Sequence, residues 1–295
     1  MHVLADTIVF GIISAATIAV GAVGFTLQYG ATNVLNLGYG AIVTSAVFVT
    51  SLVGDHTTNI ALLLLTGAAW GALFSWLLNR TVIVPFVRRS TNLIGMAILT
   101  IAMGLVIEFS LEAIQGPDTL TYSATPGSPV KVLSVVVSTT QITLIGVAVI
   151  LMLATHLLLR HTRIGLAMRA TAADPSLSRT NGISTARIRA ISWAVSGALC
   201  GITGTLLGTS VGSFDASIGD NVFILIVAAA IVGGIGRPYG AMLGALVIGI
   251  MSEAAATLVS PDMNYVVAAI VIVVMLVVRP QGIFGDFTGS RELRA

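Results

Sequence analysis

Gly208-Thr209-Ser210-Val211-Gly212 has the G-x-S-x-G spacing that, at a strand-to-helix turn, presents a serine hydroxyl to a carbonyl carbon. That chemistry needs a strand before the serine and a histidine and carboxylate beside it. Here the run closes a long apolar segment, and His2, His56, His156 and His161 all fall in or beside loops, so the context contradicts a hydrolase. Gly233-Gly234-Ile235-Gly236 begins like a dinucleotide loop, but position 239 is not glycine and no βα unit surrounds it, so it reads as a turn. No G-x-x-x-x-G-K-[ST] occurs, which leaves the chain unable to cradle ATP phosphates on its own. The histidines have no zinc-like spacing, and the single Cys200 provides no disulfide framework.

Two polar features inside apolar runs remain. Glu108 and Glu112 lie four residues apart in one run and Glu253 sits past the middle of another. Such carboxylates either reach water at the outer interface or serve a permeating solute, and a proton or sodium relay would want more of them near the midplane. Asn33-Val34-Leu35-Asn36-Leu37-Gly38-Tyr39-Gly40 carries two Asn and two Gly at the start of an apolar span. One reading is a discontinuous helix whose free N–H groups face a polar solute; the other is a turn with Asn as N-cap.

These residues need elements to hold them, and the composition says what kind. Of 295 residues 56% are hydrophobic and only 9% charged, with a mean hydropathy of +1.01, so the surface faces lipid rather than water. The 31 Gly have no triplet period, which excludes collagen, and a net charge of +2 gives no reason to expect nucleic acid. Nine apolar runs of roughly helix-spanning length appear: 8–27, 34–53, 60–78, 93–115, 142–159, 191–211, 222–235, 239–259 and 266–278. No strand-length alternation is visible. The expectation is an all-α, polytopic transmembrane bundle of about nine spans, within eight to ten, forming a single domain over 1–295.

Arginine sets the orientation. Arg80, Arg88, Arg89, the six arginines from Arg160 to Arg189, Arg237, Arg279, Arg291 and Arg294 all fall on one side of a nine-span chain, leaving only Lys131 opposite. Asp55, Asp118, Asp215, Asp220 and Asp262 gather with it. The positive-inside bias then puts the N-terminus outside and the C-terminus inside, and the first run reads as a retained span rather than a signal peptide. Small residues at i and i+4 recur in Gly67/Gly71, Gly197/Gly201, Gly204/Gly208/Gly212 and Gly236/Gly240/Gly244, the spacing of close helix packing. Tyr39-Gly40-Ala41 and Tyr239-Gly240-Ala241 form a faint internal echo of the kind repeated halves leave.

The longest loop on the basic side, 160–190, has helix signals of its own. Asp174-Pro175 reads as N-cap and first helical residue and Gly182 as a stop, giving a short helix near 176–181, with Ser184 capping the next span. Such a helix is either a docking element or an amphipathic segment on the lipid surface.

Arg163-Ile164-Gly165-Leu166-Ala167-Met168-Arg169-Ala170-Thr171-Ala172, followed by Asn181-Gly182-Ile183, closely resembles the cytoplasmic loop of branched-chain amino acid ABC importer permeases of the LivH type. Val232 to Gly236, Gly240-Ala241-Met242-Leu243-Gly244 and the terminal Arg279 to Gly285 are similarly placed family signatures; Thr100 to Gly104 and Leu35-Asn36-Leu37 match more loosely. The family commonly reads Leu-Asn-Leu-Ala-His-Gly and then an acidic residue, where this chain has Gly38, Tyr39 and Ala41. The resemblance implies a permease subunit, not an enzyme, in the bacterial inner membrane. Its partners would be a second, LivM-type permease, two cytoplasmic ATPases that carry the ATP and magnesium, and an extracytoplasmic solute-binding protein. It implies no cofactor on this chain. Asn36, Gly38, Tyr39, Gly40, Thr100 and Gly104 are then expected along the path of a small amino-acid solute. Gly165, Arg169, Ala170, Asp174, Leu177 and Gly182 are expected at the ATPase, and Gly197, Gly201, Gly204, Gly208, Gly236, Gly240 and Gly244 in helix packing. The rival is a channel or ion-coupled carrier for a small neutral solute such as an amide or urea.

Overall fold

The computed structural model describes residues 2–89, 91–116, 119–122, 127, 129–132, 135–261 and 263–284. Asp118, Asp262, Gly285, Arg291, Arg294 and the Lys131 side chain lie outside this description. Helix α1 (His2–Thr32) is followed by α2 (Tyr39–Gly54) and α3 (Ile60–Leu78), which runs through a π-helical turn (Asn79–Ile83) into α4 (Val84–Arg88). Then come α5 (Leu93–Gln115), strands β1 (Leu120–Thr121), β2 (Pro129–Val132) and β3 (Val135–Ser138), and α6 (Thr139–His161). The basic loop holds α7 (Arg163–Ala173) and α8 (Pro175–Thr180). The chain closes with α9 (Thr185–Val211), β4 (Ser213–Phe214), α10 (Ile218–Gly233), α11 (Pro238–Leu258) and α12 (Met263–Val278).

Six of these helical stretches are long and apolar enough to cross a membrane: α1, α3 with α4, α5, α6, α9 and α11. Helices α2, α10 and α12 have 16 residues each. At 1.5 Å per residue that is about 24 Å, short of a hydrocarbon core of about 30 Å. The second run therefore starts later than its hydropathy suggested, at Tyr39 rather than Val34, because Asn33 takes a positive φ of 53° that ends α1 and residues 33–38 are not helical. The seventh starts earlier, at Ile218. The bundle is all-α as expected, with two short strand pairs outside the helices. Leu120–Thr121 pairs with Ser213–Phe214, and 129–132 pairs with 135–138, where backbone outside the helices needs partners.

Helix starts follow from local chemistry. Asn59 and Asn92 accept from the N–H groups of Ala61 and Gly95, and Ser138 forms a reciprocal capping box with Gln141. Within the spans, Thr26, Thr50, Ser192, Thr203 and Thr205 donate their hydroxyls to carbonyls one turn back, which satisfies them without water.

The described helices contain a repeat. Helices α2 and α10 have the same length, and α10 starts 179 residues after α2. Each follows a long helix ended by a residue with positive φ, Asn33 and Gly212, also 179 apart. Each is followed by another long helix, α3 or α11, starting 178 residues apart. The packing is reciprocal: α3 lies along α9, α11 along α1, α5 against α2 and α12 against α10. The two units are inverted, since α1 and α9 run antiparallel, with Gly21 beside Thr203 and Gln28 beside Ser196. This register replaces the echo of Tyr39 with Tyr239, which differ in surroundings: Tyr39 is buried in the core, whereas Tyr239 is 47% exposed at the start of α11. Helices α1, α2, α9 and α10 form the centre, and α3, α5, α6 and α12 present apolar outer faces.

Candidate functional site

The segment before α2 threads into the bundle along α5. Thr100 holds it there, accepting from Leu37 N–H at 3.2 Å and donating to Leu35 C=O at 3.1 Å. Thr100 lies seven residues into α5, so these contacts sit about 10 Å inside the helix end. Gly38 crosses Gly104 so closely that a Cβ on Gly38 would stand 2.5 Å from Thr100 O. Asn36 is buried, and both amide atoms lack a hydrogen-bond partner among the described residues. A buried amide without partners costs stability, so its retention needs a reason other than packing.

Helices α2 and α10 begin beside each other, N-terminus to N-terminus. A Cβ on Gly40 would stand 2.9 Å from Gly219 O and would strike the Asp220 carboxylate; a Cβ on Gly219 would strike Gly40 O. Thr44 accepts from Gly219 N–H at 3.1 Å. Neither helix is capped by its own N-cap residue, Gly38 or Ser217. The hydroxyl of Tyr39 donates to Gly21 O and Ser196 O, and its ring meets Phe25 edge-on at 5.6 Å. Gly21 is eleven residues from the end of α1, so this junction lies about 16 Å into the bundle, near its middle. Asn36, Gly38, Tyr39, Gly40, Thr100 and Gly104 are therefore brought together, yet all are buried, and Tyr39 packs in the core rather than against an opening. Residues that the sequence did not place here complete the cluster: Thr44, Gln28, Ser196, Gly219 and Asp220, the last grouped by the sequence with the outer acidic residues. The signal that could have found Gly219 was its place 179 residues after Gly40. Glu108, for which the sequence left open the outer interface or a solute's path, is partly buried with its carboxyl against Asp220, while Glu112 is exposed and Glu253 accepts from Ser14 at 3.2 Å.

In the basic loop the structure has two helices where one was expected. Thr162 caps α7, and Gly165 lets α7 fold back on the end of α6, since a Cβ there would strike Leu158 O. Asp174 caps α8, accepting from Ser176 and Leu177 N–H at 2.8 and 3.0 Å, and its own N–H reaches Ala170 O. The Ser176 hydroxyl, then those two amides, hold the Asp174 carboxyl below the usual aspartate range. Gly182, with φ 81°, ends α8: its N–H reaches Arg179 O and Ile183 N–H reaches Ser178 O, the paired bonds of a left-handed helix stop. Leu177 is 60% exposed on the outer side, and Arg169 is exposed on α7. Ser184 stands at the start of α9 without a side-chain bond to it.

Among the packing glycines, Gly197 and Gly201 meet Gly71 and Gly67, backbone against backbone. Gly204 faces Val43 of α2, Gly208 faces Val47 and Tyr122, and Gly240 and Gly244 close on Gly233 and Ala229 of α10. Gly236 differs from the expectation: it lies in the turn before α11 with φ 86°, beside Gly30. Gly212 likewise ends α9 rather than packing within it. Ser210 donates to Leu207 O within the last turn of α9, without the strand-to-helix turn of a nucleophile elbow.

The arginine-bearing segments converge at one end, where residues 29–33, Val87, Arg179, Arg189 and Arg237 surround a common hollow. With that geometry in view, the sequence can be compared with known proteins. The chain is 28% identical over 289 residues to the high-affinity branched-chain amino acid transport system permease protein LivH of Escherichia coli (strain K12), with 93% of each covered. It is 31% identical to a probable branched-chain amino acid transport permease protein LivH of Methanocaldococcus jannaschii, over 90% of this chain and 87% of that one. It is 27% identical to BraD, the corresponding permease protein of Pseudomonas aeruginosa, with 94% of each covered. No solved structure matches the chain significantly. Residues 7–276 match the model of one family, described as branched-chain amino acid transport system / permease component. A multi-pass bundle matched over this length places the chain: it belongs to the family of branched-chain amino acid transport system permease components.

Proposed function

We propose that the chain is one membrane subunit of an ABC importer for branched-chain or related small apolar amino acids, with its arginine-bearing end in the cytoplasm. The observation that carries the reading is α8, a helix capped at both ends with Leu177 facing outward, on a loop that a simple connector between spans would not need to order. Leu177 is the apolar contact for a groove on an ATPase, Asp174 and Gly182 keep the helix rigid, and Ala170 anchors its cap. Gly165 seats the loop on α6, and Arg169 offers a charge beside it. ATP and magnesium belong to the partner ATPases. A second, related permease and an extracytoplasmic binding protein complete the assembly.

The solute route passes the junction of α2 and α10, which is shut in this conformation. The N-terminus of α2, without a side-chain cap from Gly38, suits a carboxylate, and Asn36 supplies an amide donor and acceptor toward the cytoplasmic side. Uptake by vesicles holding the assembled importer tests the reading. It should require the ATPase and compete with Leu, Ile and Val. Uptake that proceeds without the ATPase would favour a carrier or channel, and indifference to all three amino acids would remove the solute assignment.

A further inference from the structure

A cavity of about 720 Å³ lies at the arginine-bearing end between α1, α6, α7 and the start of α11, away from the α2–α10 junction. Its rim carries three guanidinium groups, Arg160 at the end of α6, Arg169 on α7 and Arg237 before α11, with His156 beside them. Arg237 donates to Phe284 O, which holds it at the rim. No Asp or Glu lines the cavity among the described residues. The first turn of α11 borders it with no side-chain cap from Arg237, and the positive end of the helix adds to the field. Against this, the carbonyl end of α1 comes near at Gly30 and Ala31, a half-charge term smaller than the full charge of Arg160 alone.

The walls are apolar, and they continue along the outside of the bundle. Leu243 lines the cavity and is 45% exposed; Leu246 and Val247 follow it up α11, and Leu157 and Leu153 climb α6. Both helices pack on α1 and flank it. The cavity is therefore amphipathic: cations at the level where the basic segments gather, then an apolar track running toward the other end. His156 and Tyr239 meet edge to face at 5.6 Å, an aromatic pair of the kind that sits at a membrane interface. A free soluble anion would use the cations but leave the track unused. An anionic phospholipid uses both.

We propose that this cavity binds the phosphate-bearing headgroup of an anionic phospholipid, with an acyl chain lying in the track between α6 and α11. The proposal holds whatever solute the importer moves.

The test uses the purified importer complex, exchanged into nanodiscs of phosphatidylglycerol or of phosphatidylcholine and examined by native mass spectrometry. Wild type should retain phosphatidylglycerol on this chain in preference to phosphatidylcholine. Arg160→Glu should weaken that retention about tenfold and Arg160→Lys should largely preserve it. Leu243→Trp, which narrows the track without changing charge, should lower retention in a complex that still assembles. Equal retention of the two lipids by wild type would overturn the proposal without any variant. So would displacement of the lipid by millimolar inorganic phosphate, which would reassign the cations to a free anion. Loss of the ATPase from Arg160→Glu with an unchanged lipid count would assign the cavity to the ATPase interface instead.

Discussion

The two inverted units share the length of their short helix and the register of their first three helices, but not the chemistry of the segment that leads into that short helix. In the first, residues 33–38 dive between helices, bonded to Thr100, with a neutral Asn36 buried and unpartnered. In the second, the matching residues 212–217 lie at the opposite end, partly paired as β4, and Asp215, which occupies the place of Asn36, is exposed and bonded to Ser217. Backbone architecture repeats because the same problem repeats, a 16-residue helix that must start inside the bundle. Side chains diverge because the two approaches open toward different ends, one basic and one acidic. The scaffold is symmetric, and the proposed route through it is directional.

The scaffold itself should be the most sensitive to substitution. Gly201→Leu places a side chain against the Gly67 carbonyl and should cost about 3 kcal/mol or more, read as loss of thermal stability in detergent. In the matching helix pair, a Cβ on Gly249 would stand 2.5 Å from Ala15 Cβ and 2.6 Å from its backbone, farther than a Cβ on Gly201 would stand from Gly67 O, so Gly249→Leu should also destabilise, by less. If Gly201→Leu melts like wild type, the α3–α9 contact is not the clamp described.

The directional part breaks differently. Asn36→Leu removes two unpartnered buried groups and should leave stability unchanged or raise it by about 1 kcal/mol, while lowering uptake. Wild-type uptake by this variant would take Asn36 off the route. Gly40→Leu, forced against Asp220, should block uptake more severely, and Asp215→Asn, at the place matching Asn36, should do least.

Coupling through α8 is expected to give a smaller and pH-dependent effect. Gly182→Val, at a positive φ, should insert normally yet hydrolyse ATP without stimulation by solute. Because the Asp174 carboxyl is held below its usual range, its contribution to α8 is present above that range and is lost only as pH falls through the lowered value. ATPase retention should therefore be flat through neutral and mildly acidic pH in wild type. A decline near neutral pH would point to a group other than Asp174.

The mildest intervention is labelling. In a Cys200→Ser background, a cysteine at exposed Thr180 should be shielded from an impermeant thiol reagent in intact cells, and one at exposed His56 should react. The reverse pattern would turn both units over together.

Much of this was legible in the residues. Nine apolar runs became nine apolar helices among the described residues because lipid leaves the backbone no other satisfied form over such lengths. Asp174, Pro175 and Gly182 marked α8 because caps and stops are local chemistry. The start of α2 was misplaced because Val34, Leu35 and Leu37 are as apolar as any helical residue, and only the bonds to Thr100, 63 and 65 positions away, show them to be extended. The junction at Gly40 and Gly219 was illegible for a related reason. Close backbone approach uses the absence of a side chain, and in a chain with 31 glycines absence is not distinctive.

Helix α6 has no counterpart in the other unit. Four apolar helices, α1, α2, α3 and α5, precede it, and an even number of crossings returns the chain to the side where it began. Without α6, the second unit would enter the membrane in the same sense as the first, and the two would be parallel copies. One unmatched crossing changes the parity. The antiparallel pairing of α1 with α9, and the meeting of the two short helices at their N-termini, therefore depend on a helix that belongs to neither unit.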